Sequence, residues 1–258
     1  TTVNKMCGSG MQAVILAHDQ IKAGTNGIMV AGGMENMSQA PYLLPKARAG
    51  LRMGHAEVKD SMFLDGLEDA YEGGLMGSFA QRSADDYNIS REAMDEFALR
   101  SLSRAQTAID QGWFKDEIAT VTVPGRKGNI DVSVDEQPGN AMPDKIPTLK
   151  PAFKKDGSIT AANASSISDG ASALILASHG DALKHDLTPM ARIVAHATHA
   201  QLPAEFTLAP IGAISKVLAR AGWSKDDVDL FEINEAFAAQ VLGCCKQLGL
   251  QGDDERLN

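Results

Sequence analysis

Cysteine is scarce in this sequence. Three residues occur in 258 positions, Cys7, Cys244 and Cys245. An odd number excludes a framework in which every cysteine is paired, and the adjacent Cys244 and Cys245 are poorly placed to bridge each other. None has the spacing of zinc ligands, so no metal site is expected. This usage indicates a reducing compartment, and we expect a cytoplasmic location.

Long apolar runs and aromatic residues are scarce as well. No stretch approaches the ~20 apolar residues of a membrane-spanning helix, so no membrane association is expected. Aromatic residues make up 5% of the chain while glycine occurs 24 times, which favours an α/β enzyme with tight turns over an all-β binding module. The formal net charge of -9 argues against nucleic acid as a partner.

Apolar periodicity predicts a helix over about 9–22, apolar around most of its circumference and therefore deeply buried. An interior strand is predicted at 28–31, and helix followed by strand suggests half of a βαβ unit. Residues 38–75 lack clean periodicity and are expected to be irregular. Further elements are predicted as a helix capped by Ser90 and ending at Gly112, a hairpin over 118–134, strands at 173–177, 191–195 and 228–233, and helices at 210–221 and from 234 onward.

Cys7 lies at the start of the first predicted helix. Most free cysteines are small buried hydrophobes, and that interpretation is favoured for the residue taken alone. However, a helix N-terminus stabilises a thiolate, and Gly8 and Gly10 leave the backbone N–H groups open to a substrate carbonyl. The alternative is a nucleophile for acyl transfer through a thioester. None of the six histidines lies in a turn suited to a catalytic base.

Two further segments could carry function. Asn234 follows a predicted strand, where it could be an ordinary N-cap or could hold a water or substrate oxygen at a sheet edge. Residues 160–170 are almost all small, so they form either a tight turn or a flat surface for an extended ligand, with Ser165 as a hydrogen-bond donor. The GRKG turn at 125–128 is by default a hairpin turn and only weakly a phosphate contact. Cys244 and Cys245 are expected to be structural.

Three motifs, in their order and spacing, resemble the thiolase family: VNKMCGSGMQA at 3–13, TAANASSISDGA at 160–171 and NEAFAAQ at 234–240. GGMENMSQAPYLLP at 32–45, YEGGLMGSFAQ at 71–81 and RKGNIDVSVDE at 126–136 fit the same pattern. The resemblance therefore covers the whole chain. It implies a layered α/β/α/β/α fold, here without its N-terminal part and the end of the C-terminal domain.

The resemblance also implies roles for individual residues. Cys7 would be the acylated nucleophile, with its own N–H in one oxyanion hole, and Asn234 would hold the water of a second. Ser165, with Ala161 and Ala164 beside it, would contact the pantetheine arm of coenzyme A. Arg126 and Lys127 would meet its phosphates. The CoA and acyl pocket would be lined by Leu67, Met76, Phe153, Phe206, Ala236 and Phe237.

The family pattern divides the chain into three predicted domains. Residues 1–37 with 167–188 belong to the N-terminal domain, 38–166 form a loop domain, and 189–258 begin the C-terminal domain. Residues 38–66 correspond to the loop through which such enzymes form tetramers, so a homotetramer is expected. The sequence ends before the family's Gly-His-Pro and Cys-x-Gly motifs, so we expect an internal fragment with little or no turnover alone.

The expected activity is that of an acetyl-CoA acetyltransferase, with acyl-CoA and CoA as substrates and no tightly bound cofactor. Met76 resembles the short-chain branch, whereas Leu75 departs from a histidine that is common there. The alternatives are a 3-ketoacyl-CoA thiolase of broader chain length and a non-catalytic CoA-binding or assembly module. A ketoacyl synthase is disfavoured because the NEAF and NAS motifs occur together.

Overall fold

The structure is a computed structural model that describes residues Thr1–Asn258. Its helices and strands are, in chain order, α1 (Ser9–Lys22), β1 (Ile28–Asn36), β2 (Tyr42–Leu43), β3 (Lys59–Asp60), α2 (Met76–Asp86), α3 (Arg91–Asp110), β4 (Val121–Val123), β5 (Ile130–Val132), α4 (Glu136–Asn140), β6 (Asp169–Ala177), α5 (His179–Lys184), α6 (Ala209–Ala221) and α7 (Ala238–Leu248). The predicted mixture of helix and strand is therefore confirmed. No helix is both long and apolar enough to cross a bilayer.

The chain folds into two compact units that are each built from two segments. Unit 1 consists of Thr1–Met76 and Ser166–Val228, and unit 2 of Gly77–Ser165 and Asp229–Asn258. Neither unit is continuous in sequence. The three domains expected from the family pattern stay a prediction.

In unit 1, helix α1 packs on a ribbon made by β1 and β6. The two strands are antiparallel and paired along their whole length, from Ile28 opposite Ala177 to Asn36 opposite Asp169. Gly32 is needed at this pairing, because a Cβ there would lie 2.1 Å from the Ser172 carbonyl oxygen. The predicted bounds of α1 are confirmed. This pairing joins β1 to a strand far along the chain, so it does not test the βαβ unit, in which the parallel partner of β1 would be a strand before α1.

Two burial predictions in unit 1 are wrong. Within α1 only Ile15 and Ala17 are buried, and Met11 is 72% exposed. On β1, Val30 is 71% exposed, although its apolar run predicted an interior strand. The reason is that the two-stranded ribbon covers only one side of α1, and α1 covers only one face of the ribbon. The other side of the helix and the other face of the ribbon stay exposed.

Residues 38–75 of unit 1 are largely irregular, as predicted. The short strands β2 and β3 pair there, and 3-10 or π turns occur at Met37–Gln39, Ala47–Ala49 and Phe63–Leu67. The strand predicted at 191–195 is absent, because no neighbouring strand pairs with it. Side chains hold this stretch instead: Arg220 Nη1 donates to the His196 carbonyl oxygen at 2.6 Å.

Unit 2 packs α3 against α7. Ser90 caps α3 as predicted, its hydroxyl accepting from the Ala93 N–H at 3.2 Å. The hairpin of β4 and β5 is confirmed, and Gly128 N–H closes its turn on the Gly125 carbonyl oxygen. The predicted strand at 228–233 is reduced to one bridge between Phe231 and Leu257. The buried apolar core includes Phe79, Met94, Ile159 and Val241.

Candidate active site

Cys7 lies directly after a strained turn. Met6 has a φ of 50°, in the left-handed region that costs a non-glycine residue about 1–2 kcal/mol. Asn4 Oδ1 accepts from the Met6 N–H at 2.9 Å. Ser9 Oγ accepts from the Lys5 N–H at 2.8 Å and donates to the Met6 carbonyl oxygen at 2.7 Å. Two polar side chains therefore hold the backbone that presents Cys7, and neither stood out in the sequence.

The Cys7 thiol is exposed at the beginning of α1, where Gly8 occupies the N-cap position. The Cys7 N–H makes no hydrogen bond within the chain, and the first turn of α1 contains no acidic residue. A Cβ placed on Gly10 would meet nothing within 4 Å. An exposed thiol and an N–H without a partner thus lie beside the positive end of a helix, which suits a thioester carbonyl that develops negative charge.

No histidine hydrogen-bonds to the Cys7 sulfur. All six histidines belong to unit 1. His18 and His196 both contact Asp19, and His199 contacts Gln201 and Lys216. Cys7 therefore has no imidazole base hydrogen-bonded to it.

In unit 2 the NAS and NEAF motifs pair with each other. Ser165 N–H donates to the Ala236 carbonyl oxygen at 3.0 Å, and Ala238 N–H donates to the Asn163 carbonyl oxygen at 2.9 Å. These bonds set Ala164 opposite Phe237 in an antiparallel bridge. The structure thereby brings together predicted pocket residues that are more than seventy positions apart in the chain.

Asn163 is the buried centre of this arrangement, with 2% of its surface exposed. Its Oδ1 accepts from the Thr160 N–H at 2.8 Å, and its Nδ2 donates to Asp95 Oδ1 and to the Ser158 carbonyl oxygen, each at 3.1 Å. Asp95 is in turn paired with Arg91 at 2.7 Å. No role was predicted for Asn163. The sequence feature that could have indicated this role is an asparagine inside a stretch of small residues, where its side chain can hydrogen-bond to nearby backbone groups.

Phe153 packs beside the same segment. Its ring lies edge-to-face with that of Phe237, with centroids 6.5 Å apart. It also covers Gly77, where a Cβ would lie 2.2 Å from the ring. Any side chain at Gly77 would therefore displace Phe153, so the glycine keeps this predicted pocket residue in place.

Ser165 differs from the expectation in one respect. Its hydroxyl donates to the Ala236 carbonyl oxygen at 3.0 Å, so the proton is already engaged. The residue is exposed, and what it can offer a ligand is an acceptor lone pair rather than a donor. Ala161 is exposed nearby in the chain, whereas Ala164 and Ala236 are half-buried.

Asn234 is exposed and is not a helix N-cap, because α7 begins at Ala238 and Phe237 holds the N-cap position. No side chain or backbone group of the chain hydrogen-bonds to its amide, which leaves the amide available. The next residue, Glu235, accepts from Ser101 Oγ at 3.0 and 2.9 Å. Burial, reinforced by repulsion from Glu232, raises the pKa of the Glu235 carboxyl above its ordinary value.

The other predicted pocket residues belong to unit 1. Leu67 ends the π turn, Met76 begins α2, and Phe206 lies in the 3-10 turn Pro203–Leu208; all three are half-buried. Cys7 belongs to the same unit. The functions assigned to these residues from the resemblance stay predictions.

We expect Glu235→Gln to change stability in a pH-dependent way. Because the folded state holds the Glu235 proton more tightly than the unfolded chain does, the stability that this carboxyl contributes at acid pH is lost as pH rises through its folded pKa. The variant should therefore gain melting temperature over wild type, by a few degrees at most, and the gain should grow from pH 4 to pH 8.

The control for that measurement is Glu92→Gln. A hydrogen bond from its own backbone N–H and one from Ser90 lower the pKa of the Glu92 carboxyl, whereas the pKa of Glu235 is raised. The pH dependence of stability at Glu92 is therefore opposite to that at Glu235. Removing the Glu92 charge should cost stability most at neutral pH. Parallel pH profiles for the two variants would contradict the assignment.

The remaining cysteines, Cys244 and Cys245, are buried in α7, as expected for structural residues. Burial raises the pKa of each thiol to about 11. At pH 8 only about 0.1% of such a thiol is ionised. Iodoacetamide should therefore label Cys7 first, by at least about tenfold, as read by peptide mass spectrometry. Equal labelling of the three would contradict this expectation.

Two family models match the chain. Residues 1–180 match that of the thiolase N-terminal domain, and residues 187–258 match that of the thiolase C-terminal domain. The chain belongs to the thiolase family. The resemblance inferred from the three motifs is thereby confirmed.

Individual relatives agree with this assignment. The chain is 47% identical over 250 residues to an acetyl-CoA acetyltransferase of Pseudomonas aeruginosa, covering 96% of this chain and 64% of that protein. It is 46% identical to a probable acetyl-CoA acetyltransferase of Dictyostelium discoideum, covering 100% of this chain and 62% of that protein. The chain thus spans somewhat less than two thirds of the length of these relatives.

Solved structures show the same fold. The acetyl-CoA acetyltransferase of Bacillus anthracis superposes with a TM-score of 0.94 at 43% identity, covering 100% of this chain and 65% of that chain. The human mitochondrial 3-ketoacyl-CoA thiolase superposes with a TM-score of 0.93 at 39% identity, with the same coverage. The thiolase fold expected from the sequence is confirmed.

Proposed function

We propose that this chain carries the acyl-accepting part of an acetyl-CoA C-acetyltransferase, which condenses two acetyl-CoA to acetoacetyl-CoA and CoA. One observation carries the proposal: Cys7 is an exposed thiol with an unpaired N–H at the start of α1, after a turn held by Asn4 and Ser9. Relatives bearing the name acetyl-CoA acetyltransferase supply the substrate class.

In the proposed step, the Cys7 thiolate attacks the thioester carbonyl carbon of acetyl-CoA. A new C–S bond forms to Cys7, and the C–S bond to CoA breaks after a tetrahedral intermediate. The negative charge on its oxygen is stabilised by the Cys7 N–H and the helix N-terminus. CoA leaves as a thiol, with the proton that Cys7 gave up. In condensation, the α-carbon of a second acetyl-CoA loses a proton and attacks the carbonyl carbon of acetyl-Cys7; a C–C bond forms, the C–S bond to Cys7 breaks, and the Cys7 thiol regains a proton as acetoacetyl-CoA leaves. In the reverse direction, Cys7 attacks the keto carbon of acetoacetyl-CoA, the C–C bond breaks to release acetyl-CoA once the α-carbon is protonated, and the thiol of CoA then takes the acetyl group from Cys7.

The residues of unit 2 suit the CoA-binding side of this reaction. The paired NAS and NEAF segments present small side chains, an acceptor at Ser165 and the edge of Phe237. Such a surface fits a narrow pantetheine arm with amide N–H donors. Asn234, whose amide has no partner within the chain, is proposed to hold the water of the second oxyanion hole.

Turnover by the chain alone is proposed to be low, since no histidine contacts Cys7. No tightly bound cofactor is proposed, with CoA and acyl-CoA as substrates, and the location is proposed to be cytoplasmic.

Homotetramer formation through residues 38–66 is supported by apolar side chains that are exposed there. They are Tyr42, Leu44, Leu51, Met53, Val58, Phe63 and Leu64. Light scattering of the purified chain tests the assembly.

A second candidate is a 3-ketoacyl-CoA thiolase of broader chain length, supported by the similarity to the human mitochondrial enzyme. The two candidates share the acyl-cysteine chemistry and differ in the acyl group accepted. Competition between acetoacetyl-CoA and a longer 3-ketoacyl-CoA, read from the mass of the adduct, separates them. A preference for the longer substrate favours the second candidate.

The experiment that tests the proposal is intact-mass spectrometry of the chain after mixing with acetoacetyl-CoA. We expect a gain of one acetyl group, mapped by peptide analysis to Cys7. Binding of CoA without any adduct would favour a non-catalytic binding module. If CoA does not bind and no adduct forms, the proposed function is wrong for this chain.

A further inference from the structure

Two histidines and an aspartate converge at the far end of α1. His18 and Asp19 are neighbours on the helix, and His196 comes from the irregular stretch that precedes α6. Asp19 Oδ1 lies 3.1 Å from His18 Nδ1 and 2.8 Å from His196 Nε2. The two imidazole rings are edge-to-face, with centroids 5.1 Å apart. All three residues belong to unit 1, and the thiolase motifs give them no role.

The spacing of these atoms suits a metal ion. The three candidate ligand atoms lie within 4.8 Å of one another. Ligands at about 2.0–2.1 Å from a tetrahedral zinc ion are about 3.3 Å apart, so small side-chain rotations would open the cluster enough to admit the ion. Imidazole nitrogen with carboxylate oxygen is a donor set that Zn²⁺ and other late divalent transition metals prefer.

The surroundings also favour a cation. The imidazoles are partly buried, with 20% and 26% of their side chains exposed, while the Asp19 side chain is 53% exposed. Solvent can therefore reach the carboxylate side, where water would complete the coordination. Arg220 Nη1 donates to the His196 carbonyl oxygen, which helps to fix the backbone at this ligand.

We propose that His18 Nδ1, Asp19 Oδ1 and His196 Nε2 bind one divalent transition-metal ion, Zn²⁺ being the best match. The ion would fasten the irregular stretch around His196 to α1. Its role is structural, since His18 lies nine residues beyond Ser9, the first residue of α1, or about 14 Å from the helix end that follows Cys7. The alternative is that the aspartate simply accepts hydrogen bonds from two histidines.

The test is a titration of the purified chain with Co²⁺ and Zn²⁺. The Cys7→Ser background removes the exposed thiol, which could bind metal itself. We expect one equivalent of Co²⁺ to give visible d–d bands without a thiolate charge-transfer band, and Zn²⁺ to displace it. Zn²⁺ should also raise the melting temperature in a concentration-dependent way, because it binds the folded state.

Ligand variants make the test specific. His196→Ala in the same background should weaken Zn²⁺ binding by about 100-fold or more, whereas His185→Ala, an exposed histidine outside the cluster, should leave it unchanged. Asp19→Asn is the sharper variant, because an amide still accepts hydrogen bonds from both histidines but is a poor zinc ligand. It should keep the fold, checked by circular dichroism, and lose the metal.

Two results would overturn the proposal. One is the absence of saturable binding to the Cys7→Ser chain. The other is equal affinity in the Cys7→Ser, Asp19→Asn and His196→Ala chains, which would place the ion elsewhere. Acetylation of Cys7 in the wild-type chain does not depend on this site, so the proposed function can stand or fall independently.

Discussion

Replacing Cys7 by serine should reduce acetylation of the chain by acetoacetyl-CoA by at least about 1,000-fold, because the hydroxyl is a far weaker nucleophile without a base. The fold should be unaffected, since Cys7 is exposed and serine has nearly the same size. Intact mass measured against time gives the rate, and circular dichroism checks the fold.

The strained turn gives a graded companion to this variant. Ser9→Ala removes the hydroxyl that joins the Lys5 N–H to the Met6 carbonyl oxygen, while the thiol remains. Acetylation should slow by about tenfold through a less well held turn. Ser103→Ala, at an exposed serine on α3, is the matched control. An adduct that survives in Cys7→Ser, or that maps to Cys244, would show that Cys7 is not the acceptor.

Asn163→Ala should destabilise unit 2 by about 3 kcal/mol, because Thr160 N–H and Asp95 each lose a buried partner. The melting temperature should fall by about 6–12 °C. Asn163→Asp has nearly the same shape but places a carboxylate against Asp95, so it should be at least as damaging at neutral pH. Urea unfolding monitored by circular dichroism measures both effects.

Asn234→Ala is the matched control for Asn163→Ala, because both variants replace an asparagine by alanine. Asn234 is exposed, so its replacement should change stability by less than about 0.5 kcal/mol. If the proposed function is right, it should nevertheless impair transfer of the acetyl group. The two variants would then show that Asn163 is needed for the stability of the fold and Asn234 for acetyl transfer. Equal stability of the two variants would mean that the Asn163 network is not what holds the motifs together.

Local patterns predicted helices well because a helix is decided by neighbours in sequence. The bounds of α1 and the Ser90 cap of α3 follow from periodicity and from one capping side chain. Strands were harder, since a strand exists only with a partner. The apolar run at 191–195 has the composition of a strand, yet no other strand pairs with it, and it stays irregular.

The candidate site shows the same division. Cys7, the NAS motif and the NEAF motif could be found by type and spacing. The support given by Asn4, Ser9 and Asp95 could not, because each acts through one hydrogen bond whose geometry appears only after folding. The His18–Asp19–His196 cluster was missed for a similar reason: Asp19 and His196 are 177 positions apart, far beyond any short metal-binding spacing.

The pairing of Asn163 with Ala238 also constrains how the chain matures during synthesis. The Asn163 carbonyl oxygen leaves the ribosome 75 residues (238 − 163) before the N–H that it accepts. At about 5–20 residues per second, this delay is about 4–15 s. For most of that interval the ribosome is producing Ser166–Val228, the second segment of unit 1, whose strand β6 must pair with β1 while the first segment of unit 2 still lacks the second. A nascent chain of this protein therefore carries two unfinished cores at once, and these seconds are when chaperones have most to protect.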